Sequence, residues 1–351
     1  MTLPFGLPCD GTSNHNPQDE HPLSRPVRHN LSSIMDQPKK CVKTRILVVS
    51  DTHGQAFNPP LNPDHIDVVV HCGDFTQHSK LSEMKMALQL LDNIDSTLKL
   101  IIPGNHDFSL DPPIFKEKID EARRLTDDLD DGLVQAAYGK CGDAKDLFQS
   151  ARERGIYLLT EGTYHFALKN GASLKVYASP YTPCPSGEQP TWGFQYSDGH
   201  EFDIEQGTEL VLTHGPPRGI FDMSPEKRRL GCSDLFSAVA RARPKVHCFG
   251  HVHNGWGAKV ARWREIMSEH PSHFTDIDHG KSNTIQTLAT LRSQERQRDV
   301  NFFCHATYSR SELGQRTGME TLFINAAVQG EHGLDRPPWI VEVDLQCVSQ
   351  N

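Results

Sequence analysis

The chain lacks any run approaching the roughly 20 consecutive apolar residues of a membrane span, so no transmembrane helix is expected. Its first 26 residues have no basic region followed by a sustained apolar stretch, so no secretory signal peptide is expected either. C-x-x-C pairs are missing, and the nine cysteines, scattered from Cys9 to Cys347, are odd in number. That pattern argues against a disulfide framework and suits reduced thiols in the cytoplasm or nucleus. An excess of positive charge is also lacking. With 36 Lys and Arg against 45 Asp and Glu, the net charge is −9, which argues against a protein that wraps nucleic acid. Apolar residues make up only 36%, enough for one good core plus tails or polar insertions. Internal repeats and long low-complexity tracts are absent.

What is present is a series of short β-branched runs. TRILVVS, HIDVVVHC and LKLIIPG predict buried strands. Between the last two, Leu81, Met84, Leu88, Leu91 and Ile94 mark one face of a helix. Strand, loop, strand, helix, strand is the grammar of an α/β sheet with covered faces. DAKDLFQSARERG predicts a helix capped by Asp143 and stopped near Gly155, and SDLFSAVARARP one with Ser233 as N-cap, ended by Pro244. A hairpin is expected about Asn170-Gly171, with further strands in IYLLT, TELVLTHG, KVHCFG, TLFINAAV and PWIVEVDL. Residues 1–42 read as a disordered tail, 43–347 as one α/β domain, and 261–305 as a polar insertion, partly helical or flexible.

Five apolar strands each run into polar side chains. The junctions are Asp51-Thr52-His53, Gly73-Asp74, Gly104-Asn105-His106-Asp107, His214-Gly215 and Gly250-His251-Val252-His253. In open α/β sheets the carboxyl ends of the strands are where ligands sit. Glycine beside each cluster allows tight turns and close backbone approach. Junctions that offer only Asp, Asn and His point to a two-metal site. The pair His251 and His253, at i and i+2, would on an extended chain point the same way, roughly 7 Å apart. Other histidines carry no such pattern. His71 and Cys72 read as structural, as does His78, and His165, His247, His270, His273, His279 and His305 have no partner spacing. Trp192, Phe194 and Tyr196 fall on one face of an extended segment, either packing into the core or lining a lid on which a nucleobase stacks.

D-x-H, G-D, G-N-H-D, H-G and G-H-x-H, in that order, resemble the calcineurin-like metallophosphoesterase superfamily. SDTHG, CGDFT, IPGNHD, YASPYTP, THGPP, RPKVHCFGHVHNGWG and LFINAA resemble its metallophosphoesterase-domain-containing subfamily, whose characterised members act as phosphodiesterases. The resemblance implies a four-layer α/β/β/α sandwich. It implies that Asp51, His53 and His253 hold one divalent ion, that Asn105, His214 and His251 hold the other, and that Asp74 bridges both. The ions would be manganese, iron, zinc, cobalt or nickel. A hydroxide bridging them would attack in line, His106 would protonate the leaving alkoxide, and Asp107 would orient the His106 ring. Two divalent ions, two aspartates and one hydroxide sum to about +1, which a phosphodiester of charge about −1 neutralises without an arginine clamp. Arg218, just after THGPP, is a candidate phosphate contact.

Neighbouring families fit less well. G-D-F-T-Q-H-S lacks the arginine of the protein phosphatases, and Gln77 stands where purple acid phosphatases carry a tyrosine. The expected activity is therefore hydrolysis of small phosphodiesters, cyclic nucleotides among them. Phosphomonoester hydrolysis is the runner-up, and a non-catalytic protein-interaction module on the same fold is the alternative of another class.

Overall fold

The computed structural model describes residues 40–57, 63–126, 129–185, 187–294, 303–308 and 318–348. Most of the expected tail, residues 1–39, lies outside the described residues, but the first strand, β1 (Cys41–Val49), begins inside the stretch read as tail. Strands are numbered along the chain. One sheet comprises β1, β2 (Val68–His71), β3 (Leu98–Ile101), β4 (Ile156–Leu158), β13 (Cys304–Tyr308) and β15 (Trp339–Gln346), in the order β13-β15-β1-β2-β3-β4. The other comprises β5 (Gly162–Ala167), β6 (Ser173–Ser179), β9 (Leu210–Thr213), β10 (Val246–Phe249), β11 (Gly257–Arg262), β12 (Asn283–Thr287) and β14 (Glu320–Asn325), in the order β12-β11-β14-β10-β9-β6-β5. Two-residue strands β7 (Thr182–Pro183) and β8 (Gln195–Tyr196) pair in parallel beside them. β1 to β4 are mutually parallel, and so are β6, β9, β10 and β14, which gives each sheet a shared carboxyl edge.

Alternation along the strands sorts the side chains into layers. Ile46, Val48, Val70 and Leu100 of the first sheet face Val176, Leu212, Cys248 and Ile324 of the second, forming one buried cluster between the sheets. Leu47, Val49 and Val69 point the other way, onto Met84, Leu88 and Leu91 of α1 (Leu81–Asp92). That helix face is the one the sequence predicts. After α2 (Pro112–Leu125) and α3 (Asp131–Tyr138), α4 (Asp143–Ser150) adds Ala144 and Phe148 to the same layer. On the far side, Val211, Phe249 and Phe323 meet Leu235, Phe236 and Val239 of α5 (Ser233–Ala242). The order is helix, sheet, sheet, helix, the four-layer α/β sandwich expected. Among the described residues no helix is long and apolar enough to cross a membrane.

Several local expectations need correction. The N-cap of α5 is Cys232, whose Sγ accepts the Leu235 N–H at 3.2 Å, not Ser233. Gly142 precedes α4, and the Asp143 carboxylate instead accepts the Lys140 N–H at 2.8 Å. The stretch read as a polar insertion from 261 to 305 is partly built into the second sheet. β11 runs through Arg262, Trp263 and Ile277 are buried against α5, and β12 forms the edge. An edge strand with mostly half-exposed residues leaves no apolar alternation to read. α6 (Leu288–Gln294) follows, and residues 295–302 lie outside the described residues.

The two faces of α1 make a direct test of this layering. Met84 is fully buried while Met86 is 44% exposed. Met84→Ala should cost about 2–5 kcal/mol by urea unfolding and Met86→Ala no more than about 0.5. Equal losses would mean that the helix packs by another face.

Candidate metal centre

All five junctions lie at the shared carboxyl edges. β1, β2 and β3 of one sheet deliver Asp51 and His53, Asp74, and Asn105 with His106. β9 and β10 of the other deliver His214, and His251 with His253. Hydrogen bonds span the sheets here. His214 Nδ1 donates to the Cys72 carbonyl at 2.8 Å, and the His251 N–H donates to the Asp51 carboxylate at 3.0–3.1 Å.

The side chains gather into overlapping groups whose ligand-type atoms lie within 4.8 Å of one another. These are Asp51 with His53 and His253, Asp74 with His214 and His251, and His53 with Asp74 and His106. In the first, His253 Nε2 is 3.2 Å from Asp51 Oδ1 and 3.3 Å from His53 Nε2. In the second, His214 Nε2 is 3.3 Å from Asp74 Oδ2 and 3.0 Å from Asn105 Oδ1. Asp74 belongs to groups on both sides. The two histidines of the G-H-V-H stretch part company, each joining a different group.

The chemistry of these donors fits a cation. A carbonyl can only accept, so His214 Nδ1 carries the proton given to Cys72, and a neutral ring would aim its Nε2 lone pair at the lone pairs of a carboxylate. An added proton or a cation relieves that opposition. Burial alone would lower the His214 pKa, but attraction and hydrogen bonding from Asp74, with Asp51 behind it, push it up to about 9. His251 is pushed down to about 4 by burial and then by His214, which leaves it neutral and able to donate a lone pair. Burial also lowers His53, and its buried Nδ1 has no hydrogen-bond partner among the described residues. Burial would raise both aspartates. Hydrogen bonding and attraction from His253 outweigh it at Asp51, and the same influences from His214 outweigh it at Asp74, so both stay below the ordinary carboxylate range.

The backbone is bent to make this convergence. Asp51 (φ 57°), His53 (46°), Asp74 (52°) and His251 (64°) all sit in the left-handed region, at a cost of roughly 1–3 kcal/mol each for residues with a side chain. Close approach also fixes two glycines. A Cβ on Gly104 would lie 2.3 Å from Asp74 Oδ1, and one on Gly250 would lie 2.1 Å from Asp51 Oδ2.

Other predicted site residues are placed differently from expectation. The His251–His253 stretch is not extended, because His251 is left-handed and His253 opens a short 3-10 turn. Asp107 does not touch the His106 ring. Its buried carboxylate accepts from Gly104 N (2.7 Å), Thr76 N (2.9 Å) and Thr76 Oγ1 (2.6 Å), stapling the G-N-H-D turn to the G-D loop. Burial and then Asp74 push it up to about 7. The group that orients His106 is the Gln77 carbonyl, 2.9 Å from its Nδ1. Arg218 is exposed, and the buried group its charge reaches is His273, outside the cluster. Phe194 (φ 56°) breaks the expected alternation with Trp192 and Tyr196. Tyr196 packs against the outer layer of the second sheet, whereas Trp192, 37% exposed, covers the His106 ring at 4.6 Å. His71 is buried with Nε2 3.0 Å from Thr52 Oγ1, a structural role as read, and His78 is exposed. Two further residues had no local sequence signal. Buried Arg336 donates to the His253 carbonyl, and Asn325 Nδ2 donates to the Val252 carbonyl at 2.9 Å.

A cation entering this site must displace the proton that His214 holds below about pH 9. In the metal-free protein the contribution of that proton to stability is complete below pH 6.5 and lost as the pH rises through about 9. Metal affinity should run the other way, rising up to tenfold per pH unit toward pH ~9. Calorimetric titration with manganese at pH 7.5, in buffers of different ionisation enthalpy, should show about one proton released per chain at this residue. Binding with no proton release would contradict the His214 assignment.

The calcineurin-like phosphoesterase family matches residues 44–255. Metallophosphoesterase domain-containing protein 1 of Homo sapiens is 31% identical over 230 residues, 63% of this chain and 64% of that protein. A UPF0046 protein of Caenorhabditis elegans is 32% identical over 254 residues, 70% of this chain and 60% of its own. The chain thus matches somewhat under two thirds of the length of these relatives. Among solved structures, a purple acid phosphatase from yellow lupin seeds aligns at 10% identity over 82% of this chain and 45% of its own, with a TM-score of 0.34. The family match spans β1 to the G-H-V-H turn and so takes in every junction described above, and the chain belongs to the calcineurin-like phosphoesterases.

Proposed function

We propose that the protein hydrolyses phosphodiester bonds in small substrates, cyclic nucleotides among them, with two divalent cations held by Asp51, His53 and His253 on one side, Asn105, His214 and His251 on the other, and Asp74 between. Two such cations polarise phosphoryl oxygens and lower the pKa of bound water, so that hydroxide is available near neutral pH. Family membership supports phosphoester hydrolysis, and the donor set supports a divalent centre. The ligands suit manganese, iron, zinc, cobalt or nickel.

The preference for a diester rests on the net charge of about +1 that two divalent cations, two aspartates and a hydroxide would leave. The observation that carries the hydrolytic reading is the setting of His106. Its backbone N–H donates to Asp74 Oδ1 at 2.8 Å, which holds the residue against the centre. Its Nδ1–H donates to the Gln77 carbonyl, so Nε2 is the atom that takes up or releases a proton. Trp192 covers one side of the ring and His53 meets it edge-on at 4.9 Å, limiting water access. A proton held there serves a leaving group too basic to depart unaided, such as an alkoxide. In this reading Asp107 acts through the turn it staples and does not touch the reacting atoms.

The test is turnover, with manganese added, of bis(p-nitrophenyl) phosphate, p-nitrophenyl phosphate, and 2′,3′- and 3′,5′-cyclic nucleotides. Diester turnover should exceed monoester turnover, and Asp74→Ala and His251→Ala should each bring it to background. Monoester turnover alone would replace the proposal with a phosphomonoesterase. Two metals failing to bind at ordinary concentrations would favour an interaction module.

His106→Ala separates proton donation from mere packing. It should lower kcat on a cyclic nucleotide by about 10²–10⁴ and on the nitrophenyl diester far less, because nitrophenolate leaves without a proton. An equal loss on both substrates would sink the general-acid role.

A further inference from the structure

A cavity of about 610 Å³ opens on the flank of the molecule, lined by residues of β4 and β5. Each is the last strand of its sheet, so neither has a further pairing partner on that side among the described residues. The volume lies within the roughly 300–1,000 Å³ typical of small-molecule sites. The lining is rich in rings: Tyr157 of β4, Tyr164 and Phe166 of β5, and Tyr181 and Phe194 from the segments at β7 and β8. Tyr164 and Phe166 lie stacked, 18° between planes, with Tyr157 edge-on to Phe166 at 6.0 Å. All five are half-buried, which leaves ring surface open to the cavity that a soluble protein usually covers.

The polar groups there are unevenly committed. Glu161, the one acid in the lining, receives the Tyr177 hydroxyl at 3.0 Å and stands 2.8 Å from His200 Nε2. The Tyr164 hydroxyl is held by Thr160 at 3.1 Å. Two cations, Lys145 in α4 and Arg152 in the turn after it, are exposed at the cavity, and neither joins an ion pair with a described residue. A slot of aromatic rings with two uncompensated cations selects a ligand that is flat and apolar in body and negative at one end.

None of the seven candidate metal ligands lines this cavity. It adjoins their loops, because Pro103 precedes Gly104-Asn105 and Phe194 follows Gly193, whose N–H donates to the Asn105 carbonyl at 3.1 Å. We propose that it is a second binding site, separate from the metal centre, for an aromatic anion: a fused or linked ring system bearing one carboxylate, sulfonate or phosphate.

The probe is 1-anilinonaphthalene-8-sulfonate, titrated by fluorescence and calorimetry into the folded protein with manganese and with chelator. One-to-one binding of similar affinity in both conditions, and in Asp74→Ala, is expected. Lys145→Glu with Arg152→Glu, both at exposed positions, should weaken it by at least about tenfold without shifting Tm. Uncharged N-phenyl-1-naphthylamine should bind the charge-reversed protein as it binds the original. Thr160→Trp, which adds bulk at an exposed lining position, should exclude both probes, and octanesulfonate should compete weakly. Binding that survives both the charge reversal and Thr160→Trp would place the probe elsewhere. Binding abolished by chelation would make the cavity part of the metal centre, and octanesulfonate competing as well as the aromatic probe would remove the ring requirement. Each of these overturns the proposal. Because the assay reads occupancy rather than hydrolysis, its failure leaves the phosphodiesterase reading untouched, and the reverse also holds.

Discussion

His214 reaches from the second sheet into the loops of the first, giving its Nδ1 proton to Cys72 while Nε2 faces the Asp74 carboxylate. Fully buried groups that offer lone pairs to one another are costly without a positive charge between them. The rest of this end of the molecule is arranged around that opposition. Four residues accept left-handed backbone, Gly104 and Gly250 give up a side chain, and the Asp51 carboxylate reaches the His251 N–H on the other sheet. A positive charge at the meeting point would therefore bind the two sheets to each other as well as activate a substrate. Strained backbone and bare glycines held around one meeting point are what a preorganised cation site requires.

The part of the fold legible in the sequence is the part buried on both sides. TRILVVS and LKLIIPG read as strands because inward and outward side chains are both covered, by the opposite sheet and by α1 or α4. α2 and α3 left little trace, since α2 buries only Phe115 and α3 buries nothing. β12, an edge strand, was hidden for the same reason. The candidate ligands were legible because chemistry constrains their type and the strand ends constrain their place. What orients them was not. The Gln77 carbonyl that meets His106 is backbone and could come from any residue type, and Arg336 lies 83 positions from the carbonyl it supports. Asp107 shows the converse hazard, where the resemblance implied a partnership with His106 that the turn geometry does not make.

Five of the chain's junctions meet, yet they belong to two sheets that touch mainly through apolar side chains. Non-directional packing of that kind sets the spacing of the layers without specifying how far one sheet slides along the other. The directional bonds His214–Cys72 and His251–Asp51 supply that coordinate at the centre, as Lys245–Asp344, Tyr308–Glu320 and Asn170–Thr44 do elsewhere along the sheets. Register between the sheets and geometry of the centre are thus coupled.

Trp192 stands apart from the chain's other three tryptophans, Trp256, Trp263 and Trp339, which are all essentially inaccessible to solvent. It alone is partly exposed, with the His106 imidazole 4.6 Å from its ring and the Lys118 ammonium 4.6 Å above it. The protein therefore carries its own optical reporter at the mouth of the centre. Iodide or acrylamide should reach one indole and spare three, so that the quenchable fraction of the emission would follow the ring beside His106 against a buried background.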